Sequence, residues 1–345
     1  MKGLKTVDLS VSREQQQLVD SFAALYARES SVERVRAAEP LGFDPQLWKA
    51  LQETGVVEMA VDDASGGWGA SELELALIAE PFGRAVASAP VAEAQVAAWL
   101  LAKCGEPGAE ALGRALTGEA MVTFVPRAGH GPRLGLVPAG AVADAVIAVV
   151  DGRLLLVPLK GNRRSVENMA SMPLADIQLG DDVGVLAEGE QARALFSDAL
   201  DLWLTLTAMA LSGAARKAVE LGVEYATQRH AFGTAIGTFQ AVSHPLADSA
   251  TAADGARLLA LEAACAFRDQ PERVSELASM AFAFAYETAR DSTHRSLHIH
   301  GGYGFGMEGD IQLYYRRARG WAMVYGEPNV ALDRVADARY GAVTG

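Results

Sequence analysis

"YATQRHAFGTAIGTFQ", residues 225–240, interrupts a long apolar helical run and then lets it resume. Gly233 and Gly237 break the pattern, and helical spacing returns from Thr238. Arg229 and Phe232 stand ahead of the break and Gln240 stands after it. Arg229 and Phe232 are three apart, so a final helical turn is expected to set them on one face. A guanidinium beside an exposed ring suits a pyrophosphate next to a flat base. The same pair also fits a surface arginine beside a core phenylalanine.

On either side of this break the chain is helical. Residues 201–228 and 239–267, and the run from Pro271 to His300, read as three long helices, alanine-rich and apolar on most faces. Such helices belong in the middle of a bundle or at a subunit interface. Upstream, near Met121, the character changes. "MVTFV", "AVIAVV" and "RLLLVPL" are short, β-prone and bounded by Gly, Pro or Asp, and "PLADIQLGDD" adds a further strand. Before these come helices with clear start signals: capping boxes at Ser12/Gln15 and Ser71/Glu74, and Asp44 as N-cap with Pro45 at the first helical position. The expected fold is α+β, mainly α. Its N-terminal helical domain spans 1–120, a small reduced β domain 121–193, and a C-terminal four-helix bundle 194–345.

The bulk composition narrows the partners. The 345 residues carry a net charge of −13, which disfavours nucleic acid and anionic membrane surfaces. Half of the residues are apolar, enough for a sizeable core. Two cysteines without metal-site spacing fit a reducing cytoplasm. The opening "MKGLKTVDLSVSREQQQ" lacks the apolar centre of a signal peptide, and "AGAVADAVIAVV" is too short and too charged for a membrane span.

Two further stretches can carry chemistry. In "HIHGGYGFGMEGD", residues 298–310, Gly301 and Gly302 allow a backbone to approach a ligand and line an anion site. A helix C-cap followed by a loop explains them equally well. His298 and His300, expected on that loop, lack nearby acidic or thiol ligands, so no metal is expected. In "YYRRARGWAMVYGEPN", Arg316, Arg317 and Arg319 form a solvated basic face or hold anionic groups. Glu327 is either a general base at a helix break or a solvated loop acid.

Taken together, "YATQRHAFGTAIGTFQAVSHPLAD", "ARLLALEAA", "HGGYGF" and "YYRRAR", with the earlier "SGGWGASELELALIAEPFGRA", resemble the acyl-CoA dehydrogenase family. The resemblance implies FAD, an acyl-CoA thioester substrate desaturated between Cα and Cβ, and an electron-transfer flavoprotein as acceptor. It also implies that each FAD lies between two subunits, its ring gripped by one subunit's β domain. The neighbour's helical domain clamps the pyrophosphate and adenine. Arg229, Phe232, Gln240, Gly301 and Gly302 match that clamp, and His298 stands where the family often has glutamine.

The rest of the family's site is not matched. Residues 123–146 lack the Thr-Glu-Pro-x-x-Gly-Ser-Asp block and the Trp-x-Thr turn that serve the flavin ring and the thioester. The base position after "YYRRAR" holds Tyr325 without a gap, or Gly326 when aligned on the tyrosine. Glu327 is displaced from it. The family's second base position, on the helix before "YATQR", holds Trp203. The leading expectation is a subunit of a heteromeric acyl-CoA dehydrogenase that shares FAD across an interface. A homologous, fuller partner subunit then supplies the base and the flavin pocket in an α2β2 assembly, as in steroid-degrading bacterial members. The alternatives are a complete homo-oligomer using Glu327 and a flavin-free helical scaffold.

Overall fold

The structure is a computed structural model that describes residues 7–39, 41–327 and 329–341. Residues 1–6 of the opening stretch and Pro328 beside Glu327 lie outside the described residues.

The chain opens with α1 (Arg13–Glu29), α2 (Val32–Ala37) and α3 (Pro45–Gln52), followed by α4 (Glu72–Arg84), α5 (Val91–Cys104) and α6 (Ala109–Leu116). The capping boxes read from the sequence are formed. The Ser12 hydroxyl accepts from Gln15 N while the Gln15 side chain takes Ser12 N–H, and Ser71 and Glu74 do the same for α4. The Asp44 carboxylate accepts from Gln46 N and Leu47 N at 2.9 and 3.0 Å, which starts α3 at Pro45.

The β segment contains β1 (Val122–Phe124), β2 (Arg133–Val137), β3 (Ala145–Val150) and β4 (Arg153–Pro158), then β5 (Arg163–Ser165), β6 (Ala175–Gln178) and β7 (Gly184–Glu188). One sheet runs β1-β3-β4-β7 and a second runs β2-β6-β5. Only the β1–β3 pair is parallel; every other pair in the two sheets is antiparallel. The β3–β4 hairpin turns on Asp151 and Gly152, at φ 49° and 78°, the two positive values a type I′ turn needs. β3 is almost wholly buried, an inner strand between β1 and β4.

Strand β7 runs directly into α7 (Gly189–Gln228), so the expected boundary at 193/194 falls within the start of that helix. The small hairpin β8 (His230–Ala231) and β9 (Thr234–Ala235) follows. Then come α8 (Gln240–Asp269), α9 (Val274–His300), α10 (Gly302–Phe305), α11 (Ile311–Met323) and α12 (Asn329–Tyr340). α7, α8, α9 and α11 pack as the bundle, and α7 is its centre: residues 199–215 are buried without a break. By length and composition α7 could cross a bilayer, but most of that window is inside the protein.

The crossing of α4 over α7 is set by two glycines. A Cβ on Gly83 would lie 1.8 Å from Ala210 O, and one on Gly213 would lie 2.2 Å from Glu80 O. Both contacts are backbone, so neither can yield by a rotamer change. Glu80 in turn holds Arg257 of α8 at 2.6 Å. Cys104 and Cys265 are buried free thiols.

Candidate functional site

The antiparallel run of α7, α8 and α9 brings the end of α7, the start of α8 and the end of α9 to one end of the bundle. Aromatic stacking ties these ends together. Tyr225 on α7 lies against His300 on α9, with ring centroids 4.4 Å apart and planes at 26°, and lies parallel to Tyr303 at 6.5 Å. His300 Nδ1 is 2.7 Å from Ser296 O, so that nitrogen donates. Gly222 lets α9 approach: a Cβ there would meet Ser296 Oγ at 2.8 Å.

The break at 229–240 is a β-hairpin, which corrects the expectation of a final helical turn. α7 ends at Gln228, and Arg229 is extended at φ −77°, ψ 125°, with its carbonyl accepting Ile236 N–H. Phe232 and Gly233, at φ 55° and 83°, form a type I′ turn between paired strands. Arg229 and Phe232 are therefore not set on a common face by helical spacing. Phe232 is no core residue either: it is 97% exposed, and its ring sits edge-on to Phe239 at 6.2 Å and 85°. Arg229 and Gln240, the first residue of α8, are also exposed.

His298 and His300 sit in the last turn of α9, not on a loop, one facing solvent and the other buried. Gly301, at φ 61°, ends α9, and Gly302 begins α10. A Cβ on either glycine would meet nothing within 4 Å, so the backbone there is open to close approach. An exposed guanidinium, an exposed ring, an amide and two bare glycines thus share one end of the molecule. That donor set suits phosphate oxygens and a flat base.

The interior offers a different picture. Tyr325 and Trp203 pack on one another, centroids 6.2 Å apart, and both lean on Phe282 at 5.4 and 5.8 Å. Burial pushes the Tyr325 hydroxyl above its usual range. Glu327 is exposed, with its carbonyl accepting Val330 N–H. Between α4, α5, α7, α11 and loop residues of the β segment lies a cavity of about 60 Å³. Its lining includes Glu93, Trp203, Thr207 and Arg317, with Ala139 and Ser171 from the β segment. The Trp203 indole N–H donates to Glu93 Oε1 at 3.2 Å. Burial raises the Glu93 carboxyl, against the hydrogen bonds from its own backbone N–H and from Trp203.

The three arginines of α11 are not a solvated basic face. Arg316 pairs with Glu39, Arg319 lies 3.6 Å over the Tyr315 ring, and Arg317 is 2% exposed. Sequence reading missed both Glu93 and the burial of Arg317. The available signal for Glu93 was a single acid between Arg84 and Lys103 in an otherwise uncharged run.

Comparison with known proteins is consistent along the chain. The acyl-CoA dehydrogenase C-terminal domain model matches residues 196–339, and the N-terminal domain model matches residues 12–119. Acyl-CoA dehydrogenase IpdE2 of Mycolicibacterium smegmatis is 32% identical over 337 residues, covering 94% of this chain and 98% of that protein. IpdE2 of Mycobacterium tuberculosis is 29% identical over 329 residues, covering 93% and 96%. Among solved structures, a chain of the ChsE4-ChsE5 complex from Mycobacterium tuberculosis superposes with a TM-score of 0.86 at 23% identity. That match covers 96% of this chain and 98% of that one. A variant of the Tcur3481-Tcur3483 steroid ACAD gives 0.84 at 25% identity, over 94% and 97%.

Proposed function

Because this chain belongs to the acyl-CoA dehydrogenase family of oxidoreductases, we propose that it is the FAD-clamping subunit of a heteromeric acyl-CoA dehydrogenase. A fuller homologous subunit supplies the catalytic base and the pocket for the flavin ring. In this reading residues 1–120, 121–193 and 194–345 act as three units, and the last carries the clamp.

The observation that carries the reading is the contrast between the two ends of the site. The surface end fits one part of FAD. Arg229 offers fork-like donors to the pyrophosphate, the Phe232 ring a stacking face, and Gln240 and His298 further polar contacts. Gly301 and Gly302 leave room for phosphate oxygens against the backbone. The interior end does not fit the ring. The cavity beside Trp203 is about 60 Å³, against roughly 300–1,000 Å³ for small-molecule sites, and aromatic side chains occupy Trp203 and, in the gapless alignment, Tyr325. FAD, when bound, supplies the hydride acceptor for Cα–Cβ desaturation of the acyl-CoA. This chain's part is to hold the dinucleotide end that reaches it from the partner. An electron-transfer flavoprotein is the matching acceptor. Two-protein names among the structural relatives, one of them a steroid ACAD, favour a heteromeric assembly and a bulky polycyclic acyl group.

The test is purification of this chain alone and co-expressed with a fuller acyl-CoA dehydrogenase homologue from the same genome. Flavin absorbance and acyl-CoA dehydrogenation are expected in the co-expressed complex alone. Stoichiometric FAD and activity in the lone protein overturn the reading, and a stable complex without flavin favours a scaffold instead.

A further inference from the structure

Arg317 is a buried cation with no acid in ion-pair contact; the acid that supports its charge from a distance, Glu39, is already paired with Arg316. Arg317 is 2% exposed, and no carboxylate lies within 4 Å of it among the described residues. Of the five N–H donors of a guanidinium, two reach neutral oxygens: Val86 O at 3.3 Å and Ser88 Oγ at 3.1 Å. Desolvation pulls its pKa down to about 10, so it still carries its proton at neutral pH. A buried charge without a contacting counter-ion is costly unless something of opposite sign reaches it.

The same arginine lines the 60 Å³ cavity, and so does Glu93, the only acid in that lining. Glu93 is engaged by Trp203 and is not an ion-pair partner of Arg317. The walls are strained in a consistent way. Ala139 and Ser171 line the cavity at φ 54° and 50°, and Val86, whose carbonyl holds Arg317, has φ 41°. A β-branched residue in the left-handed region is a genuine outlier, and such outliers cluster where a ligand is clamped. A water needs roughly 10–15 Å³ of such space, so the cavity admits several waters or one carboxylate-sized group.

We infer that the cavity beside Arg317 is a binding site for a carboxylate group, held by the guanidinium and walled by Trp203, Thr207 and the Ala139 and Ser171 turns. The site is separate from the FAD clamp but is the same interior cavity whose small size supports the heteromeric reading; anion binding is read without flavin, so its failure leaves that reading standing. A guanidinium suits this anion because its donors are coplanar and spaced for two oxygens.

The test titrates the full chain with sodium acetate and, separately, sodium hexanoate, against sodium fluoride at matched ionic strength. Thermal unfolding and tryptophan emission are followed together, since Trp203 and Trp321 both line the cavity. A saturable rise in melting temperature with a parallel emission change is expected for wild type. Arg317→Met should reduce both responses to the fluoride baseline. Arg317→Lys, the fallback if Arg317→Met does not fold, should need at least ten times more ligand. Saturation by acetate assigns the site to a free small acid. Saturation by hexanoate alone assigns it to the end of a longer chain, and either result supports the site. No saturable response in wild type, or equal responses in wild type and Arg317→Lys, overturns it.

Discussion

The Tyr325 ring rests on the Trp203 indole, 6.2 Å between centroids, with Phe282 completing a buried trio. The family resemblance puts its catalytic carboxylate at Trp203 or, in the gapless alignment, at Tyr325, and here each ring is part of the other's packing. Restoring a base at either place means taking the core apart. Tyr325→Glu is expected to destabilise the chain by about 2–4 kcal/mol through burial of a poorly partnered carboxyl, without gaining dehydrogenase activity. Tyr325→Phe should cost less than about 1 kcal/mol, since it keeps the ring contacts. Urea denaturation of both variants separates the two expectations.

Glu327→Gln should leave substrate-driven flavin bleaching in the heteromeric complex unchanged. The carboxylate is exposed, whereas Tyr325 two residues earlier is in the core. Loss of bleaching would move the base onto this chain and favour a homo-oligomeric enzyme.

Arg229→Gln and Phe232→Ala should weaken FAD retention by the complex, roughly 10–100-fold for the arginine, the worth of a charge-assisted hydrogen bond. Both residues are exposed, so the stability of the chain itself should stay within about 0.5 kcal/mol of wild type. Flavin titration of the reconstituted apo-complex and thermal melts of the lone chain read the two effects separately.

Gly83→Ala and Gly213→Ala should each cost about 1–3 kcal/mol by forcing α4 away from α7. The double variant should cost less than the sum, because both methyl groups press on the same crossing. A chemical-denaturation cycle tests this directly.

Asp176 contributes to the acid side of the stability curve. Hydrogen bonds from Arg164, Arg133 and Leu136 N–H bring its carboxyl from 3.8 down to about 2. A depressed folded value means the stabilisation is full above the unfolded pKa near 3.8 and is lost as pH falls through about 2. Asp176→Asn should be less stable than wild type at pH 6, and the difference should shrink toward pH 2. Melting temperatures across that range check the sign.

The sequence made the helices legible because their starts are written in side chains: Ser12 with Gln15, Ser71 with Glu74, and Asp44 with Pro45 all cap as read. The apolar strands β1, β3 and β4 were legible for the same local reason. β2 and β5 were not. β2 contains Gly135 and a left-handed Leu136, which break alternation, and the three residues of β5 are all exposed. The turn at Phe232 was hidden because asparagine, aspartate or glycine normally takes that place. Arg316 and Arg317 look alike in the chain, but consecutive residues on a helix point about 100° apart. One therefore meets Glu39 while the other enters the interior. The meeting of Glu93 with Trp203 depends on a contact across 110 residues, which no local pattern encodes.

The hairpin tip has a cost outside catalysis. Phe232 stands almost wholly in water on a rigid two-residue turn, with Phe305 and Met307 also bare, at 71% and 69% exposure. Under the heteromeric reading, a lone copy leaves these apolar side chains bare until a partner covers them. Matched synthesis of the two polypeptides then keeps that apolar surface covered.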